Sequence, residues 1–202
     1  MKTDFKNEID SYSAKVGVFD LIEVSPMQYL QVSGTGGPES DDFFEAIETL
    51  YPMAYNLKFK SKSRDRDYVV PPLEALWWAD DMSAFTTNFD KSKWHWTAML
   101  MVPNWLKEYD FEDAIREVRN KKSPPKLSEL EFVYLDEGPC VQTLHIGPFE
   151  NEGPILKQMN ESFIPQNGLR MTGKHHEIYF SDFRSTKPEN LRTILRQPVD
   201  II

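Results

Sequence analysis

The chain has 202 residues, of which 40% are hydrophobic and 13% aromatic, so it is long enough to bury a substantial core and is not a disordered or fibrous polypeptide. Its 32 acidic residues against 23 Lys and Arg give a formal net charge of -9, and a surface of that sign disfavours nucleic-acid binding. The sequence has no apolar run that could cross a bilayer and no apolar signal-peptide core at its start, so we expect a cytoplasmic protein without a membrane partner.

Cysteine and histidine residues offer little metal chemistry. The single cysteine, Cys140, excludes an internal disulfide framework and a multi-cysteine metal site. His175 and His176 are adjacent, and neighbouring residues of a strand point to opposite faces, so these two side chains do not chelate one metal together. We therefore expect neither a metal nor any other cofactor.

The first half of the chain predicts a strand, a helix and two extended segments after a loosely packed N-terminal arm of residues 1–20. Alternating residues that end at Gly34 indicate the first strand, and Ser40 supplies an N-cap for the helix. Pro71 and Pro72 interrupt the start of the next extended segment. The predicted elements are a strand over 27–34, a helix over 41–56, extended segments over 68–78 and 93–102, a second helix over 110–120 and a strand over 130–135.

The second half repeats the order of the first. Its predicted elements are a strand over 140–147, a helix after Pro148, a strand over 175–181 and a closing helix over 188–195. A diverged duplication explains this repetition, with a first repeat over about 21–105 and a second over about 128–198 in a domain of residues 21–202. It predicts an α+β fold in which duplicated strand-helix-strand-strand units form antiparallel sheets, with a ligand groove at their pseudo-twofold interface.

Tryptophan is concentrated in one part of the chain, since four of the five lie between Trp77 and Trp96. Such residues either fill a core or form the walls of a pocket for a flat ligand. In the alternating segment over 93–102, Trp94 and Trp96 share one face of the predicted strand.

Glu177 is the strongest candidate for chemistry. Alternation along its strand puts His175, Glu177 and Tyr179 on one face. Burying a carboxylate on such a face costs free energy unless the group has a partner or a function. The alternative interpretation is that Glu177 is an ordinary exposed glutamate of a strand. Burial would raise the pKa of this carboxyl toward the range that suits proton transfer near neutral pH.

Glu74 is the corresponding acidic residue of the first half, where it shares its face with Trp78. If the duplication is real, Glu74 and Glu177 approach the same groove from opposite sides. A bulge near Pro71 and Pro72 would reverse the face on which Glu74 and Trp78 lie.

Five stretches together resemble the GyrI-like small-molecule-binding proteins, within the SOUL and multidrug-regulator effector-domain group. They are Met27–Gly34, Pro72–Trp78, Trp94–Trp96, Gly173–Tyr179 and Lys187–Pro198. The resemblance implies a duplicated unit with a ligand groove between the copies, and in drug-sensing relatives a glutamate matching Glu177 faces cationic aromatic drugs. Those relatives carry a helix-turn-helix domain upstream, and the roughly 20 residues before the first strand are too few for one, which disfavours a transcription factor.

Some stand-alone members of this branch resemble hydrolases that open the cyclopropane of DNA-alkylating natural products of the yatakemycin and duocarmycin type. For such an activity we hypothesise that Glu177 activates water as a general base and that Tyr179 donates a hydrogen bond to the carbonyl that becomes a phenolate. The expected substrate-binding residues are Glu74, Trp78, Trp94, Trp96 and His175.

Two other functions fit the same residues. The groove would bind or sequester toxic aromatic molecules without chemistry, through carboxylate charge and cation–π contacts. Alternatively, the acidic surface would mask a basic protein partner. The sequence thus predicts an aromatic small-molecule ligand and no nucleic-acid partner, and it does not bear on the oligomeric state.

Overall fold

The computed structural model describes residues 2–85 and 87–202, and an antiparallel sheet of nine strands runs through this part of the chain. The strands are β1 (Asp20–Val24), β2 (Met27–Thr35), β3 (Leu73–Trp78), β4 (His95–Val102), β5 (Glu131–Leu135), β6 (Gly138–Ile146), β7 (Leu169–Met171), β8 (His175–Tyr179) and β9 (Arg192–Ile201). Their order is β1-β6-β9-β8-β3-β4-β2-β5, and β7 pairs with the end of β9.

The long helix α2 (Asp41–Ser63) packs on one face of the sheet, which we call the helical face. The helices are α1 (Phe5–Glu8), α2 (Asp41–Ser63), α3 (Glu108–Lys121), α4 (Gly153–Gln158) and α5 (Ile164–Gln166), with a π-helical turn (Met159–Phe163) joining the last two. In the described part of the chain, none of these helices combines the length and apolarity that crossing a membrane requires.

Helix α2 begins where the sequence predicts, because the Ser40 hydroxyl accepts a hydrogen bond from the Phe43 N–H at 3.3 Å. It continues to Ser63, beyond the predicted end at residue 56. The reason is tertiary packing, since Leu57 and Ser61 remain buried and extend the apolar stripe of the helix onto the rest of the protein.

The strand order confirms the predicted duplication. The first unit runs β2-α2-β3-β4 and the second runs β6-α4-β8-β9. In the sheet, β3 and β8 are neighbours at the centre, with β4 and β2 following on one side and β9 and β6 on the other. A pseudo-twofold axis between β3 and β8 therefore relates the two units.

One predicted segment is wrong in the structure, and another is right only in part. The closing helix over 188–195 is a 3₁₀ turn (Pro188–Asn190) followed by strand β9. Strand β9 pairs with β6 on one side and β8 on the other, so hydrogen bonding to two neighbours outweighs the local helical pattern. The N-terminal arm is packed in part: Ser11 and Tyr12 are buried, with Tyr12 on the opposite side of the sheet from α2, and the other described residues up to 20 are half-buried or exposed.

A cluster of buried charges lies beneath this arm, on what we call the arm face of the sheet. The His176 ring lies between two carboxylates, with Nε2 2.9 Å from Oε2 of Glu74 and Nδ1 3.0 Å from Oε1 of Glu137. Arg196 donates to Glu137 at 2.9 Å, and the Tyr12 hydroxyl donates to Glu74 at 2.5 Å. Two carboxylates are thus balanced by one guanidinium and one imidazolium, which makes their burial tolerable.

This cluster has strongly shifted proton affinities. Burial by itself would raise the pKa of Glu137, but His176 and Arg196 lower it to about 2. Burial by itself would lower the pKa of His176, but Glu137 and Glu74 raise it to about 9. The two groups contribute most to stability between pH 4.5 and pH 6.5, their ordinary pKa values.

A methyl group added at Gly34 tests the packing of β2 under α2. A Cβ there would overlap the ring of buried Trp96 and the carboxylate of Asp42, so we expect Gly34→Ala to lower the free energy of unfolding by about 1–3 kcal/mol. Gly153→Ala is the control, since its Cβ would meet no atom within 4 Å. Urea denaturation compares the two variants, and equal midpoints would contradict the described packing.

Glu137→Gln tests the buried charge cluster. We expect it to lower the free energy of unfolding by about 3–5 kcal/mol near pH 6, because it leaves two buried cations facing a neutral amide. In the wild type, the contribution of His176 falls as the pH rises from 6.5 to 9, and that of Glu137 falls as the pH drops from 4.5 to 2. Denaturation across this range, with the exposed Glu131→Gln as control, measures both effects; a loss no larger than the control's would refute them.

Candidate functional site

The candidate site lies on the helical face where β3 meets β8, at the predicted pseudo-twofold interface. In this register Trp77 lies opposite His175, Ala75 opposite Glu177, and Leu73 opposite Tyr179. Directly opposite residues of an antiparallel pair share a face, so all of these side chains point to the helical face.

A hydrogen-bond chain orients the Glu177 carboxylate. The Trp77 indole Nε1–H donates to the Tyr179 hydroxyl oxygen at 3.0 Å, and that hydroxyl donates to Oε2 of Glu177 at 2.7 Å. Nε2 of His175 is 3.3 Å from the other carboxylate oxygen. Burial, followed by the charge of Glu177, raises the pKa of Tyr179 well above its usual value, so its hydroxyl remains a donor.

A second carboxyl group, Glu152, reaches this site and was missed by the sequence analysis. It immediately precedes α4, is 5% exposed, and its Oε1 is buried without a hydrogen-bond partner among the described residues. Burial, and then the charges of Glu177 and Glu150, raise the pKa of Glu152 to about 10. Glu152 is therefore the carboxyl group of this site that keeps its proton at neutral pH.

Aromatic rings form the walls around these carboxyl groups. Phe149 and Phe183 pack on the Tyr179 ring with centroid distances of 5.8 Å and 6.1 Å. Trp94 lies 6.0 Å from Trp77 and holds its orientation by donating a hydrogen bond from Nε1 to the Ala84 carbonyl at 2.9 Å. A cavity of about 210 Å³ is lined by Tyr179 and Phe183 but by neither Glu152 nor Glu177.

The structure brings together part of the predicted set. Glu177, Tyr179 and His175 share one face as predicted, and Trp94 joins them through its contact with Trp77. Trp96 does not reach the groove, because it is fully buried and packs edge-on against Phe43 at 5.1 Å. Its side chain belongs to the core under α2.

The prediction that Glu74 and Trp78 line the same groove as Glu177 is wrong. They share a face as the alternation predicts, and β3 pairs regularly from Leu73 onward, but that face is the arm face. Glu74 belongs to the buried charge cluster, and Trp78 stacks on His95 at 5.5 Å. On β3 the residue opposite Glu177 is Ala75. Because side chains alternate along a strand, Glu74 and Trp78 lie an odd number of residues from Ala75 and point away from the groove.

The sequence offers no signal that identifies Trp77 and Glu152 as site residues. Trp77 and Trp78 are adjacent, and only the register with β8 decides which of them faces Glu177. Glu150 and Glu152 both precede the Gly153-Pro154 start of α4, which marks a helix N-terminus but does not indicate which carboxyl points inward.

Comparison with known proteins extends over nearly the whole chain. Residues 18–200 match the GyrI-like small molecule binding domain. An uncharacterized conserved protein from Listeria innocua is 38% identical with a TM-score of 0.90, over 98% of this chain and 100% of that one. A hydrolase from Listeria innocua is 37% identical with a TM-score of 0.86, again over 98% and 100% of the two chains.

More distant structures show the fold alone. The EcmrR C-terminal domain is 12% identical with a TM-score of 0.58, over 92% of this chain and 98% of that one. A comparison with curated proteins finds no match. The match over residues 18–200, together with the duplicated sheet and its groove, shows that the chain belongs to the GyrI-like small-molecule-binding family.

Proposed function

We propose that this protein is a cytoplasmic detoxifying hydrolase that binds flat aromatic molecules in the groove and opens the cyclopropane ring of cyclopropane-dienone alkylators. The observation that carries this proposal is the Tyr179 hydroxyl bonded to the Glu177 carboxylate at 2.7 Å between aromatic walls. It joins a general base to a hydrogen-bond donor in one site. The hydrolase from Listeria innocua, 37% identical over 98% of this chain, supports the reaction class.

The proposed reaction is addition of one water molecule. The water oxygen forms a bond to the cyclopropane methylene carbon while its proton passes to Glu177. The ring C–C bond breaks, and its electron pair moves through the conjugated ring to the carbonyl oxygen. That oxygen becomes a phenolate, which receives a hydrogen bond from Tyr179 and takes up a proton to give the phenol.

Substrate binding would redirect the Tyr179 hydrogen. In the free protein this hydrogen bonds Glu177, while the Trp77 indole donates to the same hydroxyl oxygen. A substrate carbonyl that accepts from Tyr179 frees Oε2 of Glu177 to accept from water. The hydrogen bond from Trp77 keeps the Tyr179 side chain oriented while its hydrogen moves from Glu177 to the substrate carbonyl. The side chain then needs little reorganisation in the transition state.

The aromatic walls would orient the substrate. Trp94 remains among the residues that we assign to stacking, and Trp77 takes the place of Trp78 and Trp96, because Trp77 and Trp94 are the indoles on the groove side. Holding a flat dienone against these rings places its strained carbon near the water on Glu177. Such orientation lowers the entropic part of the barrier.

Glu177→Gln tests the general base. We expect turnover to fall by about 10²–10⁴-fold while binding persists, because the amide keeps the shape but does not accept a proton from water. Turnover is measured by mass spectrometry as the gain of one water by a cyclopropane-dienone compound, and binding by quenching of Trp fluorescence. The exposed Glu161→Gln is the control; wild-type turnover by Glu177→Gln would refute the assignment.

Tyr179→Phe tests the hydrogen-bond donor. The change keeps the ring that packs on Phe149 and Phe183 but removes the hydroxyl. We expect kcat to fall by about 10²–10³-fold with a smaller change in KM, because the donor acts on charge that develops in the transition state. A rise in KM at constant kcat would instead assign Tyr179 to ground-state binding.

A binding protein without chemistry is the second candidate. The observation that favours it is a carboxylate enclosed by aromatic rings, an arrangement that attracts organic cations. Quenched Trp fluorescence with an unchanged cyclopropane-dienone compound would support this function over the hydrolase.

A further inference from the structure

The groove contains two carboxyl groups and little positive charge. Glu152 enters from the start of α4 and Glu177 from β8. Among the described residues neither forms an ion pair with Lys or Arg, and the His175 ring at 3.3 Å from Glu177 is the nearest candidate cation. The arm face is different, because there each buried carboxylate contacts His176.

The two carboxyl groups differ in their polar contacts. Glu177 accepts the Tyr179 hydrogen at 2.7 Å and has Nε2 of His175 at 3.3 Å, so a negative charge on it is compensated. Glu152 has a buried oxygen with no partner, and an ionised carboxylate in that position would be uncompensated. Glu152 therefore carries the proton, in agreement with its pKa of about 10.

The titratable groups whose charges act on Glu152 are Glu177 of β8 and Glu150 of the turn before α4, and Glu152 in turn acts on Tyr179. His175 lies 3.3 Å from Glu177, and Nε2 of His145 on β6 is 3.1 Å from the Pro148 carbonyl oxygen of that turn. On the loop after β8, Arg184 is already bound to Asp182 at 2.8 Å. None of these supplies a fixed cation to Glu152.

We propose that Glu152 exchanges its proton for a bound positive charge, so that an aromatic cation entering the groove releases one proton to solvent while a neutral aromatic of the same shape leaves it in place. This inference rests on the proposed binding of aromatic molecules in the groove and is independent of hydrolysis. The exchange conserves charge, because one acid and one carboxylate become two carboxylates and one cation. The net charge of the site is the same before and after.

The exchange makes cation affinity depend on pH. Below pH 10 the proton competes with the cation, so affinity rises with pH by about tenfold per unit until Glu152 ionises by itself. Lowering the pH weakens cation binding, because a higher proton concentration competes more strongly with the cation for Glu152. The affinity of a neutral ligand does not depend on pH in this way, because its binding does not require Glu152 to ionise.

Isothermal titration calorimetry in two buffers of different ionisation enthalpy counts the protons released. The probes are 1-methylquinolinium and 1-methylnaphthalene, which have the same shape and differ in permanent charge. We expect about one proton released per cation bound and none for the hydrocarbon. Between about pH 7 and pH 9, the cation affinity is expected to rise about a hundredfold.

Glu152→Gln identifies the source of the proton. The variant is expected to bind the cation without proton release and with an affinity that no longer changes over this pH range. Glu150→Gln is the matched control, because this carboxylate lies two residues away and is exposed, and it is expected to release the proton as the wild type does. Unchanged release by Glu152→Gln would assign the proton to another group, such as His175, and overturn the proposal.

The remaining outcomes separate this inference from the proposed function. Failure of the wild type to bind the cation, or binding without proton release, overturns the exchange. If that same protein still adds water to a cyclopropane-dienone compound, the hydrolase assignment stands without it. Proton release in a protein that shows no turnover supports the exchange and removes the hydrolase assignment.

Discussion

The pairing of β3 with β8 at the centre of the sheet is the constraint on which the site depends. It joins the two repeats, and its register sets Ala75 beside Glu177 and Trp77 beside His175. Because side chains alternate along both strands, the same register sends Glu74 and His176 to the other face. A shift by one residue would exchange the groove residues for the buried charge cluster.

The two faces treat buried charge in different ways. On the arm face, carboxylates, a guanidinium and an imidazolium neutralise one another, and the N-terminal segment closes over them through Tyr12 and the Ser11 carbonyl. In the groove, Glu152 has no ion-pair partner among the described residues, and burial raises its pKa so that it keeps a proton. Neutralised charges serve stability, whereas we propose that the carboxyl groups of the groove serve a ligand.

The pseudo-twofold symmetry of the fold does not extend to its chemistry. Both units provide a strand with an internal glutamate, Glu74 in β3 and Glu177 in β8, yet these side chains point to opposite faces. The second acidic group of the groove comes from Glu152, at the start of a helix in the same repeat as Glu177. Duplication therefore supplied the groove, and one repeat supplied its carboxyl groups.

The sequence by itself determined the local periods, the duplication and the family, and it placed His175, Glu177 and Tyr179 on one face, because alternation is a property of each strand alone. Only the tertiary structure decided which face of β3 lines the groove, that Trp77 and not Trp78 lies beside Tyr179, that Trp96 is buried, and that residues 192–201 form a strand. The physical reason is that these outcomes depend on strand register and on which element covers each face. Both are long-range contacts that no local pattern of residues encodes.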